Sequence, residues 1–330
     1  MKYIRLFIVI MIGFLLVLSA CQKDKTTSIK LGEVTRSVFY APQYVALEKG
    51  FFADEGLDVD MQTTWGGDKT MTALLSDSVD IALVGSETSI YVYAQNPRDY
   101  AINFAQLTQT DGTFLVSKEA HDDFDWDNVK DTTFLGQRKG GMPQMVGEFV
   151  LKKYDIDPHS DLNLLQNIDF ANIPGAFVSD DETEFVQLFE PTASTMEKEG
   201  TGHIVASFGE ESGLVPYTVF MAKQSYLDEN EDNIKKFTKA IYKAQQWVEE
   251  NDPEDIAEVV QPYFDDTDLE MLAASIERYK DQDSFATDPI LSTDGWENLK
   301  DIMDEAGELP GEAPYDDLVN TEIAEEIIND

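Results

Sequence analysis

Apolar and polar positions along this chain alternate, run together or recur by threes and fours, and so mark out strands and helices in turn. Leu57, Val59 and Met61 alternate with Asp58, Asp60 and Gln62, the period of a strand with one buried face. Ahead of them, Pro42 suits a first helical turn and Gly50 suits the stop, with Tyr44, Val45 and Leu47 as apolar positions between. Ser28–Val34 reads as the strand that feeds this helix. The stretch from Arg36 to Gly67 is therefore expected as strand end, helix, strand and glycine loop, a βαβ unit with parallel strands. Ligands of such sheets sit at the carboxyl ends of the strands, here Phe39–Tyr40 and Thr64–Gly67.

The alternation of elements continues. Asp68–Leu75 reads as a helix, and Val79–Val84 is an apolar run of the kind covered on both faces. That run ends at Gly85-Ser86-Glu87-Thr88, where Ser86 can cap a helix over Glu87–Gln95. Strands follow over Tyr100–Leu107 and Thr113–Ser117. A second α/β set has strands over Thr132–Gly136, Leu162–Gln166, Phe185–Phe189 and Ile204–Ala206, with helices from Pro143 to about Tyr154 and over Pro191–Lys198. Val215–Ala222 reads as a return strand. Ile234, Phe237, Ile241, Ala244 and Val248 then recur at helical spacing and read as core. Further helices are expected over Glu254–Val260, Leu269–Tyr279, Trp296–Ala306 and Thr321–Ile328.

The N-terminus reads as targeting rather than fold. Lys2 and Arg5 precede an apolar run, Leu6–Leu18, that is too short to span a membrane. Leu18-Ser19-Ala20-Cys21 follows, which makes residues 1–20 a lipoprotein signal peptide and Cys21, the chain's only cysteine, the lipidation site. Residues 21–27 serve as a tether. Two or three acyl chains anchor stably, each buried methylene contributing about 0.8 kcal/mol. With one cysteine there is no intramolecular disulfide, so stability rests on the core.

Charge narrows the partners. The formal net charge is −40, and loss of residues 1–20 removes two more cations. Such a body repels nucleic acid and anionic lipid surfaces, so no nucleic-acid partner is expected and membrane attachment depends on the lipid. The acidity fits a surface exposed to saline or alkaline medium, or inherited compositional bias. Nothing points to an oligomer, and a monomer is expected.

The run YAPQYVALEKGFFADEGLDV, residues 40–59, resembles the opening of the substrate-binding proteins of ABC importers, in the superfamily that takes up thiamine pyrimidine precursors, riboflavin, alkanesulfonates, taurine and nitrate. The likeness extends from about residue 28 to the end. It implies a type II periplasmic-binding-protein fold of two α/β lobes joined by a two-strand hinge. Lobe 1 is residues 28–110 and 216–330, lobe 2 is residues 111–215, and the C-terminal helices pack on lobe 1. It also implies an extracytoplasmic location, a ligand held between the lobes, and an ABC permease with its ATPase as partners.

Candidate ligand contacts gather at the expected strand ends. Tyr40 and Trp65 can sandwich a flat ring, offset stacking contributing about 0.5–1.5 kcal/mol per pair; packing inside a lobe is the alternative. Gly66 and Gly67 let backbone N–H groups approach a ligand. Ser86 is a contact or only a cap. Glu87 can accept from ring or amino N–H groups, or favour a helix N-terminus through the dipole. Gln106 can face the cleft as donor and acceptor or serve as a hinge amide. Arg138, Gly140, Gly141 and Met142 form a turn into a helix that can hold an anionic group. Tyr217 lies at the return crossing. Glu190 occupies the position that the resemblance implies for a cleft acid. Aromatics and carboxylates outnumber cations at these ends, which favours a neutral or weakly basic heterocycle, such as a thiamine pyrimidine precursor, over a sulfonate or nitrate.

Catalysis finds little support. His121, His159 and His203 lie far apart without metal-ligand spacing, and no G-x-S-x-G or Walker pattern exists. Residues 125–131, DWDNVKD, lack the glycine and closing glutamate of a calcium loop, so no metal is expected. No cofactor is expected either. Fungal relatives in the superfamily include a self-consuming pyrimidine synthase with a cysteine-rich motif, which is absent here. A ligand-sensing module remains a rival to the importer component.

Overall fold

The computed structural model describes residues 26–329. The leader and Cys21 lie outside the described residues. Every strand read from the pattern forms. β1 (Thr27–Glu33), β2 (Leu57–Thr63), β3 (Ile81–Gly85) and β4 (Ala101–Thr108) precede β5 (Thr113–Ser117), β6 (Thr133–Leu135), β7 (Asn163–Leu165), β8 (Phe185–Phe189) and β9 (His203–Ser207), and β10 (Thr218–Lys223) closes the set.

They make two sheets of the same plan. The first has the order β2-β1-β3-β10-β4 and the second β7-β6-β8-β5-β9. β1 runs parallel to β2 and β3, with Thr27 opposite Leu57, as the βαβ reading requires. The exchanged strands are the antiparallel ones: β10 lies between β3 and β4, and β5 between β8 and β9. The chain thus crosses twice between sheets, at 109–112 and at 208–217. The crossings pair with each other, the Tyr217 N–H donating to the Thr108 carbonyl at 3.1 Å and the Val215 N–H to Gln109 at 2.9 Å.

Burial follows the patterning. Ile29 and Leu31 of β1 are fully buried, while every residue of β4 and the apolar run of β3 are covered. Full burial of each such side chain contributes about 1.5–3 kcal/mol. Glu33, at the end of β1, is a buried acid held by Arg36 at 3.0 Å and by the Tyr44 and Thr63 hydroxyls at 2.8 and 2.7 Å. That cluster fixes the entry to the first helix, Ala41–Glu48.

The C-terminal helices extend the expected arrangement. Glu231–Glu250 and Pro253–Val260 pack on Ala41–Glu48, beside the first sheet. Thr293–Glu305 also reaches across to Met142–Lys153, and its Asn298 amide donates to the Ser212 and Leu214 carbonyls at 3.1 and 2.8 Å. Among the described residues, five short helices escape the sequence pattern: Phe51–Asp54, Ile173–Ser179, Phe208–Ser212, Gln224–Glu229 and Tyr315–Leu318. Asp125–Asn128, within the segment that superficially resembles a calcium loop, folds as a capping box on a short 3-10 turn. Among the described residues no helix is long and apolar enough to cross a membrane.

Candidate ligand-binding site

A cavity of about 420 Å³ opens between the two sheets at the carboxyl ends of their parallel strands, a size typical of small-molecule sites. Val34 and Thr35 follow β1, Trp65 to Lys69 follow β2, Gly85 ends β3, and Glu87 and Thr88 come after it. The opposite wall is Gln137 to Pro143 after β6, Asp169 to Asn172 after β7, and Phe189 at the end of β8. Of the residues expected at a site, Tyr40, Trp65, Gly66, Gly67, Glu87, Arg138, Gly140, Gly141, Met142 and Tyr217 all line this space.

Its aromatic wall spans both halves. Tyr40 is buried in the 3-10 turn Val38–Tyr40, and Tyr217 meets Phe39 edge-on at 5.5 Å. Trp65 is 52% exposed with φ at 60°. A bulky residue in that left-handed region is uncommon and costs on the order of 1–3 kcal/mol, and here the strain presents an indole at the mouth of the cavity. Tyr91 reaches across, its hydroxyl 3.6 Å from the Met145 sulfur, and Phe170 packs 5.9 Å from Phe189 on the far wall.

The polar groups are fewer. Glu87 opens the helix Glu87–Tyr93 and is only 4% exposed. Its carboxyl folds back over Gly85, where any Cβ would overlap it. Burial pushes its pKa up to about 8, although the backbone N–H groups of Glu87, Met142 and Thr88 face it and pull the other way. Its Oε2 has no hydrogen-bond partner. Met142 belongs to the second half, so this acid faces the start of a helix from the opposite wall. Arg138 is engaged by acids from both walls, with Asp68 at 3.2 Å and Asp169 at 3.8 Å. Beneath the cavity, at the crossing, Asp111 is buried and its pKa is raised to about 6, against the pull of the Thr113 hydroxyl and N–H that donate to it. Tyr217, facing Asp111, is raised by burial first and then by that charge.

Three expected residues lie elsewhere. Ser86 makes no side-chain cap, and its Oγ is buried without a partner beneath the helix start. Gln106 sits within β4 as a tie to the C-terminal region, its N–H donating to the Pro289 carbonyl and its carbonyl accepting from Gln245, both at 2.8 Å. Glu190 is withdrawn from the cavity by a better partner. Arg278 donates to its carboxylate at 2.7 Å, and Ser194 donates through Oγ at 2.8 Å and N–H at 3.0 Å. A cleft acid at that position is thus replaced by a strut. Conversely, Tyr91, Gln137, Asp169, Phe170 and Phe189 line the cavity without having been singled out. Applying the strand-end rule to β7 would have pointed to 167–172.

Two five-stranded sheets with exchanged antiparallel strands and a cavity between them define a periplasmic-binding-protein fold. The chain belongs to the NMT1-like family, matching it over residues 22–262. YtlA of Bacillus subtilis (strain 168), itself only provisionally a binding protein, is 65% identical over 314 residues, covering 95% of this chain and 94% of that one. Among solved structures, the ligand-binding component of an ABC-type import system from Staphylococcus aureus, with zinc bound, superposes with a TM-score of 0.71 at 17% identity, over 91% of this chain and 99% of that one. The alkanesulfonate-binding protein SsuA from Xanthomonas axonopodis pv. citri, bound to MOPS, gives a TM-score of 0.70 at 14% identity, over 89% and 98%. At such identities the structures establish the shared fold.

Proposed function

We propose that this chain is the extracytoplasmic solute-binding component of an ABC importer, held at the membrane by lipid on Cys21. It captures an aromatic N-heterocycle, of the kind of a thiamine pyrimidine precursor or riboflavin, and presents it to the permease. Residues 28–110 and 216–330 act as one lobe and 111–215 as the other, with the crossings as hinge. A ligand touching both walls favours the closed state over the open one, and the permease reads that difference.

The observation that carries the ligand class is the state of Arg138. The cleft's arginine is already paired with two carboxylates, while the remaining wall is rich in aromatic rings and includes a buried acid. A sulfonate reading draws support from SsuA and its bound MOPS and from the N–H groups at the start of Met142–Lys153. A melting-temperature screen of the purified protein against thiamine pyrimidine precursors, riboflavin, taurine, aliphatic sulfonates and nitrate separates the two. A ligand at about a hundredfold its dissociation constant adds about 2.7 kcal/mol, a shift of several degrees. A shift confined to sulfonates or nitrate contradicts the heterocycle.

A further inference from the structure

Among the described residues, Glu87 is the one deeply buried acid lining the cavity, and its surroundings define what must meet it. The carboxyl lies over Gly85, whose lack of a side chain makes the space for it. Backbone N–H groups face it, but among the described residues no cation does, and Oε2 is left without a partner. The charged side chains on the same cavity, Asp68, Lys69, Arg138, Lys139 and Asp169, are exposed at its mouth. A buried polar atom without a partner is costly, and a ligand that supplies one recovers that cost.

We propose that Glu87 is the specificity-determining residue of the site, and that it pairs bidentately with an amidine-type edge of the ligand, a ring nitrogen flanked by an exocyclic amine. The inference rests on the heterocycle reading and deepens it. In the pair one carboxyl oxygen accepts from the amine, while the other shares a single proton with the ring nitrogen. The neutral acid with neutral ligand and the carboxylate with ring-protonated ligand are the same complex, holding one proton.

A pH signature follows. With the carboxyl pushed up to about 8 by burial, the free site near neutrality already carries that proton, and binding a neutral ligand leaves the proton count unchanged. Above about pH 8 the free site is ionised and binding must take up a proton, so affinity falls about tenfold per pH unit. The tyrosines that feel this acid, Tyr40, Tyr91 and Tyr217, are all raised further from neutrality, burial being the largest cause, and do not titrate in this range.

The test is titration calorimetry of the purified protein from pH 6.5 to 9.5 (a range spanning about 8). The probes are the aminopyrimidine half of thiamine, the same ring with the amine replaced by hydrogen, and MOPS. The wild type is expected to bind the aminopyrimidine at least about tenfold more tightly than its des-amino analogue, and to lose affinity above pH 8. Glu87→Gln, whose amide offers the same acceptor and donor without a titrating proton, should keep the aminopyrimidine near pH 7 and abolish the alkaline limb. Glu87→Leu should lose the preference for the amine altogether. Equal binding of the two rings, or an alkaline limb that survives in Glu87→Gln, overturns the inference while leaving the heterocycle reading intact. Binding of MOPS and of neither ring overturns both.

Discussion

Glu190 and Arg278 meet at 2.7 Å, joining the turn after β8 to the helix Leu269–Asp281. The glutamate side chain is wholly buried, and its main chain is gripped as well. Its N–H donates to the Tyr279 hydroxyl at 3.0 Å, and its carbonyl accepts from the Ser37 hydroxyl at 3.0 Å. This is a strut between the second sheet and the C-terminal helices, and Glu190 is not among the residues that line the cavity. Glu190→Ala leaves the Ser194 N–H and part of the guanidinium without partners, a loss of about 1–3 kcal/mol for a buried group. Thermal unfolding should show it as a fall of several degrees, with ligand affinity changed less than about threefold. A tenfold affinity loss with unchanged melting would return Glu190 to the site.

Trp65 should behave in the opposite way. It is exposed and held at positive φ, so Trp65→Gly relieves strain and leaves the melting temperature of the free protein unchanged or slightly higher. The same change removes one stacked pair, and affinity for the aromatic ligand should fall about tenfold. Retained affinity in a calorimetric titration would remove the indole from the account.

The free protein should also lose stability as pH rises. Glu87 is raised from 4.5 to about 8 and Asp111 from 3.8 to about 6, so between those values the folded state holds protons that the unfolded state has released. Stability from Glu87 is full below about 4.5 and is lost progressively up to about 8. Glu87→Gln removes this loss. The melting-temperature difference between variant and wild type should grow from pH 5 to 8 and then level off (the window of that shift). A constant difference across this range would show that Glu87 does not titrate there.

Gly85→Ala places a methyl group where the Glu87 carboxyl lies. It should reproduce the loss of amine preference seen on removing the acid, although the acid itself remains. Normal discrimination between the amino and des-amino rings in this variant would mean that the carboxyl need not occupy that position.

Cys21→Ser tests the anchor. The variant should leave the membrane fraction for the soluble one, while ligand binding by purified protein is unaltered. Full retention in membranes would point to another mode of attachment.

Much of this was legible in the sequence, because β-strands buried on one or two faces write their period into the chain. The alternation at Leu57–Met61 and the apolar run at Val79–Val84 marked β2 and β3, and strand ends then located most of the cavity wall. What stayed hidden depends on distant partners. Nothing near Glu190 foretells Arg278, 88 positions away, which turns a cleft acid into a strut. Nor does Gln106 show locally that Gln245 and Pro289 will claim its backbone. Phe170 was missed because the surrounding IDFANIPG reads as loop, although its place after β7 makes it part of the cleft. Ser86 has the chemistry of a cap, yet its own helical backbone (φ −61°, ψ −28°) precludes the extended cap geometry, and Glu87 meets the helix start instead.

The most direct measurement is a calorimetric titration of the purified protein at pH 7 with the aminopyrimidine half of thiamine and, in parallel, with a short alkanesulfonate. Saturable binding of one pyrimidine per chain, with no heat of binding from the sulfonate, is the result expected of an aromatic cleft whose arginine is already paired. Saturable binding of the sulfonate, with none of the pyrimidine, would contradict it and make the helix start at Met142 and the arginine at 138 the centre of an anion site.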